Sequence, residues 1–124
     1  MVWKVTTNGD ITTRQGDTGT LKLRGLLFDN VGIEIQDLQR NTITSILDEE
    51  PDTDGNVDIA FTKAITDLLT VPLTASYSKY IYFVTGYSDD YSTVDTIILG
   101  QKGIDDLNYI TVYPKGVEVE DNDE

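Results

Sequence analysis

Cysteine and histidine are both absent from the 124 residues, methionine and tryptophan occur once each, and nine Lys and Arg stand against 22 Asp and Glu, a formal net charge of −13. Without cysteine there is no thiolate nucleophile, disulfide, zinc ribbon or iron–sulfur cluster, and without histidine the commonest general base and metal ligand is missing. A surface so short of cations repels a phosphate backbone and releases few counterions, so no nucleic-acid partner is expected. No apolar run reaches the ~18 residues of a membrane-spanning helix. Met1 to Asp10 has neither the charged start nor the apolar stretch of a signal peptide. Neither a membrane partner nor export by that route is expected.

The remaining composition is ordinary: 39% hydrophobic and 25% charged, close to the globular average and long enough for one core. We expect one domain over 1–115 and an acidic, frayed tail over 116–124, where like charges repel and nothing is available to bury.

Apolar residues recur mostly at every second position, the period of a strand with one face inward. Leu21, Leu23, Gly25 and Leu27 form one such run, Val31, Ile33 and Ile35 another, Ile43 to Leu47 a third, and Val57, Ile59 and Phe61 a fourth. Lys79 to Tyr87, Thr93 to Leu99 and Tyr109 to Tyr113 are rich in β-branched and aromatic residues and read as the most buried strands. Val2 to Thr7 reads as a first edge strand or an arm. Asn8-Gly9-Asp10, Gly16-Asp17, Asp29-Asn30, Asp54-Gly55-Asn56 and Ser88-Asp89-Asp90 punctuate the runs with turn residues. The pattern predicts an all-β fold, an immunoglobulin-like antiparallel β-sandwich of about seven or eight strands, with neighbours arranged as a meander. Thr62 to Leu69 departs from it: Ala64, Ile65, Leu68 and Leu69 lie at helical spacing behind Thr62 as N-cap, which predicts one helical turn bridging the sheets.

Three motifs invite chemistry. Asp17-Thr18-Gly19 matches the triplet of aspartic proteases, with Ile97-Ile98-Leu99-Gly100 like their apolar-Gly segment. That chemistry needs two copies of the carboxylate sharing a proton, hence a dimer. Arg14-Gln15-Gly16 before the triplet instead reads as an exposed turn. Glu50, Asp52, Asp54, Asn56 and Asp58 space their oxygens like the start of an EF-hand calcium loop, but the twelfth position is Phe61 and strand-like sequence flanks it. The loop reads as a polar hairpin tip. Trp3 and the seven tyrosines admit a carbohydrate-stacking surface, with Trp3 and Tyr91 as the positions to test, but Tyr80 and Tyr82 on one strand face and Tyr87 and Tyr91 flanking its turn read rather as core and corner packing. No catalytic residue, cofactor or metal ligand is assigned, and the partner-binding residues are left unassigned.

At Ile11-Thr12-Thr13-Arg14-Gln15-Gly16-Asp17-Thr18, followed by Leu21, Leu23 and Leu27, the sequence resembles the N-terminal immunoglobulin-like domain of phage baseplate upper proteins. Asp54-Gly55-Asn56-Val57-Asp58-Ile59-Ala60-Phe61 with Thr62 to Leu69, then Tyr80-Ile81-Tyr82-Phe83, extend the likeness over Ile11 to Leu99. The resemblance implies a non-catalytic structural protein of a phage or prophage virion, in its tail, baseplate or head fibre. Its partners would be other virion proteins and further copies of itself, a trimer among the options, assembled in bacterial cytoplasm. A carbohydrate-binding module for host cell-surface attachment is the alternative, and a dimeric aspartic protease the remote one.

Overall fold

In a computed structural model, which describes residues 2–97, 99 and 107–116, the alternating runs become two layers of strand. In chain order these are β1 (Trp3–Val5), β2 (Ile11–Arg14), β3 (Gly19–Leu23), β4 (Asn30–Gln36), β5 (Thr42–Glu49), β6 (Val57–Phe61), α1 (Lys63–Thr66), β7 (Ser78–Tyr87), β8 (Val94–Ile97) and β9 (Asn108–Tyr113). The all-β sandwich with one helical turn is therefore the fold. Nine strands are present among the described residues.

The larger sheet runs β1-β2-β9-β7-β4-β5, with β8 also on β7, and β3 pairs with β6 in the smaller sheet. Ten-residue β7 is the spine. Its first half, Ser78 to Tyr82, pairs with β9, its last four residues pair with β8, and its other edge pairs with β4 over seven positions. Sequential neighbours are thus largely not spatial neighbours, so the expected meander is corrected. One pair, β2 with β9, is parallel, with Ile11 opposite Ile110 and Thr13 opposite Val112.

Because side chains alternate along a strand, Leu21, Leu23, Ile59 and Phe61 turn inward from the small sheet. They meet Ile11, Val31, Ile33, Ile35, Tyr80, Tyr82, Val84, Ile110 and Val112 of the large one in a single buried cluster. Each such burial is worth about 1.5–3 kcal/mol. Leu69, fully buried, plugs the same core after α1. Thr62 caps that turn, its hydroxyl accepting from the Ile65 amide. The chain leaves β6 of the small sheet through α1 to reach β7 of the large one, as a bridging element should. Ala64 and Leu68, which shared the expected helical spacing, are exposed; Leu68 lies beyond α1, which ends after one turn.

Two strand expectations fail for a physical reason. β3 stops at Leu23: Gly25 takes φ +69°, and the Leu26 amide donates to the Gly55 carbonyl at 2.8 Å, leaving Leu27 almost wholly exposed. β8, expected among the most buried strands, has Val94, Asp95 and Thr96 exposed. It pairs with β7 alone among the described residues, at the far end of that strand. Residues 117–124 of the acidic tail lie outside the described residues.

Candidate functional site

The outward residues of the large sheet converge at the end where β4 begins and β7 ends. Inward Val31 and Ile33 flank Gly32, so Gly32 faces outward beside Thr85, its cross-strand partner on β7. Together they floor a groove of about 310 Å³. A Cβ on Gly32 would approach Leu47 Cδ2 to 3.2 Å and Tyr87 Cε1 to 3.5 Å, so a side chain there would fill the space. Leu47 and Asp48 of β5 form one wall, Tyr87, Tyr91 and Val94 the other, and Glu34 and Ser45 lie further along.

The walls are tied to one another. The β4–β5 register slips between Val31 and Ile33, a bulge that re-aims side chains, and Asp48 within it takes φ +61°. Its amide then donates to the Tyr87 hydroxyl at 2.8 Å while that hydroxyl donates to Asp48 Oδ1 at 2.7 Å. Burial, then the bond to the Asp48 carboxylate, push the Tyr87 hydroxyl pKa up. Tyr91 stacks on Tyr87 with centroids 5.4 Å apart and planes 12° from parallel. It does so from the left-handed region, φ +60°, where a bulky residue costs roughly 1–2 kcal/mol. Two of the three non-glycine residues with positive φ among those described thus line one groove.

The turn that presents Tyr91 is held by its own polar atoms. The Ser88 amide donates to the Thr93 carbonyl and the Tyr91 amide to the Ser88 carbonyl, both at 3.0 Å. Asp90 Oδ1 accepts from the Ser92 amide and the Ser88 hydroxyl, each at 3.0 Å. Hydrogen bonds from the Ser92 side chain and backbone, then from Ser88, hold the Asp90 carboxyl at about 2. A depressed carboxyl supports the turn above its ordinary value and loses that support as pH falls through the folded pKa. Amide signals of Ser88 to Thr93 and the Tyr91 ring are therefore expected to titrate together near pH 2 in an NMR titration. A midpoint near the ordinary aspartate value of about 3.9 would contradict the assignment.

The residues singled out in the sequence are dispersed. Tyr80 and Tyr82 are core, their hydroxyls donating to the Thr70 carbonyl at 2.6 Å and to the buried Gly9 carbonyl. Trp3 is no free stacking platform: its ring packs on Phe61, centroids 5.1 Å apart, and its Nε1 donates to the Thr20 carbonyl at 3.0 Å. Only Tyr91 of the two carbohydrate candidates presents an open face, at 66% exposure. Asp17 sits in a turn, accepting from the Val2 amide at 2.6 Å and pairing with Arg14 at 3.1 Å, which commits its carboxylate to its own chain. Of the apolar-Gly segment, Ile98 and Gly100 lie outside the described residues. The 50–58 loop is a turn, but its flanking strands belong to different sheets, so the hairpin reading is corrected. Asp52 Oδ1 accepts from the Asp54 and Asn56 amides, and Asp58 pairs with Arg24 at 2.7 Å. No three or more acidic side chains among the described residues are grouped to hold a metal ion. Sequence reading named Tyr91 but missed Asp48, Leu47 and Gly32; the bulge that assembles them has no signature in the strand pattern.

No family model matches the chain, and no curated protein matches it. Among solved structures, the crystal structure of CopC from Methylosinus trichosporium OB3b is similar over 81% of this chain and 80% of that one, with TM-score 0.39 and 16% identity. A likeness of that size carries no argument about function.

Proposed function

We propose that the chain is a non-catalytic structural protein of a phage or prophage virion, a tail, baseplate or head-fibre module that mediates subunit assembly. The supporting observation is a surface of side chains that a solitary domain would bury. Tyr91, Leu47 and Val94, exposed by 66%, 64% and 57%, border one groove whose walls are hydrogen-bonded into place. Contiguous apolar surface held rigid in this way marks an interaction site more often than scattered exposure does. Backbone edges add to it, since among the described residues β1 and β5 end the large sheet and an end strand offers unpaired amides and carbonyls. The virion setting rests on the resemblance over Ile11 to Leu99.

Light scattering of the purified chain, alone and mixed with the tail and baseplate proteins of the same genome, tests this. A defined homo-oligomer or a stoichiometric co-complex is expected. A strict monomer indifferent to all of those proteins would remove the proposal.

A further inference from the structure

We infer that the Tyr87–Tyr91 groove takes an arginine side chain of a basic partner, its guanidinium lying on the outer face of Tyr91 and paired with the Asp48 carboxylate. The inference rests on the assembly reading and gives its partner a chemistry.

Charge complementarity selects the occupant. Among the described residues no Lys or Arg lines the groove, whereas Asp48 does. Further carboxylates crowd its rim. Asp90 precedes Tyr91, and Asp89 accepts from Asn30 Nδ2, itself opposite Tyr87. Asp29 accepts from the Asp89 amide. On that outer face Arg40 already lies over the Phe83 ring at 5.0 Å, bonded to Gln36 beside Glu34, and Lys79 lies over the Tyr109 ring at 5.3 Å. Arg40 answers Glu34, and among the described residues neither cation is set against Asp48 or the rim. With −13 on the whole chain, the summed field draws a cation toward this end.

Shape and preorganisation choose arginine over lysine. One face of Tyr91 is covered by Tyr87 and the other is open, which suits a planar cation that stacks and pairs with a carboxylate at once. A space of about 310 Å³ receives one long side chain rather than a helix. The aliphatic stem of arginine fits against Leu47 and Val94. Asp48 and Tyr91 both hold left-handed backbone there, a cost the fold bears while keeping both side chains aimed into the groove. A neutral sugar would use the Tyr91 face and Ser45, but it gives the acidic rim no role.

The test uses the full, isotope-labelled chain and the peptide acetyl-Gly-Arg-Gly-amide, with its citrulline and lysine analogues and N-acetylglucosamine as separate probes. The arginine peptide is expected to move amide signals of Gly32, Leu47, Asp48 and Val94, to weaken with added salt, and to bind better than either analogue. Asp48→Asn and Tyr91→Gly should each weaken it about three- to tenfold. Tyr91→Gly removes the ring while suiting the left-handed backbone, so its melting temperature separates lost binding from lost folding. No peptide-induced shift at the groove, an equal response to citrulline, or unaltered affinity in folded Tyr91→Gly would overturn the inference. So would shifts there with N-acetylglucosamine alone. If virion proteins still co-assemble with the Asp48→Asn, Tyr91→Gly double variant as with the parent, the inference fails and the assembly reading stands. If the groove takes the peptide while nothing co-assembles, the assembly reading fails instead.

Discussion

Tyr82→Ala is expected to lower the free energy of unfolding by roughly 3–5 kcal/mol, the range for truncating a buried aromatic ring, as read from urea melts. Tyr82 is 1% exposed and the largest fully buried side chain of the core. Its ring lies on the inward face of β7, and its hydroxyl reaches the Gly9 carbonyl, 73 positions away in the turn between β1 and β2 of the same sheet. Tyr82→Phe isolates that bond: it leaves a buried acceptor without its donor, at roughly 1–3 kcal/mol. Alkaline pH probes the same contact. Burial, and then the nearby Asp10 carboxylate, push the Tyr82 hydroxyl well above the ordinary tyrosine value. A pKa raised on folding leaves stability intact below the unfolded value near 10 and erodes it as pH rises beyond that, by about 1.4 kcal/mol per pH unit. Melts between pH 9 and 11, on the order of that titration window, should therefore show a slope that flattens in Tyr82→Phe. The same slope in both proteins would mean that the hydroxyl is not shielded as described.

Gly19→Val should expel the single indole from its seat. The ring of Trp3 lies over Gly19 so closely that a Cβ there would come within 1.8 Å of Cδ2 and 2.2 Å of Cε3. Trp3 belongs to β1 of the large sheet, whereas Gly19, Thr20 and Phe61 belong to β3 and β6 of the small one, so the indole clasps the two layers along one flank. Valine suits a strand, and any loss must come from the collision, about 1–3 kcal/mol for overpacking of this kind. Tryptophan fluorescence should shift to the red at the same time. In a Trp3→Ala background the valine has nothing to strike, and most of its cost should vanish. An unchanged cost there would show that the clasp is not what the glycine accommodates.

How far the fold could be read from residues alone depended on what sets each property. β4 and β6 were legible because strict alternation at Val31, Ile33, Ile35 and at Val57, Ile59, Phe61 is a local pattern, and one covered face is all it demands. Thr62 announced its helical turn by the same local logic. β8 misled because Val94 and Ile97 have strand-forming character, while burial is decided by what lies across from a strand. The Leu21 to Leu27 run was overextended, since Gly25 reads equally as a strand glycine and as a left-handed turn until Gly55 is known to sit beside Leu26. The groove was least visible: Tyr91 stood out by composition, but its companions Asp48 and Gly32 come from strands whose register slips at a bulge. Trp3 drew notice as a surface aromatic and proved to be bound to the small sheet, because the partner that covers it lies beyond any local window.

The parallel contact between β2 and β9 joins positions about a hundred residues apart, such as Ile11 and Ile110, and among the described residues it is the strand pairing that brings β1 and β2 into the large sheet. During translation those first strands emerge long before the segment that receives them and must wait for Asn108 to Tyr113 to clear the ribosome. Such distant closure slows folding, leaving the nascent β1–β2 hairpin undocked, open to premature capture by another chain, until that segment has been made.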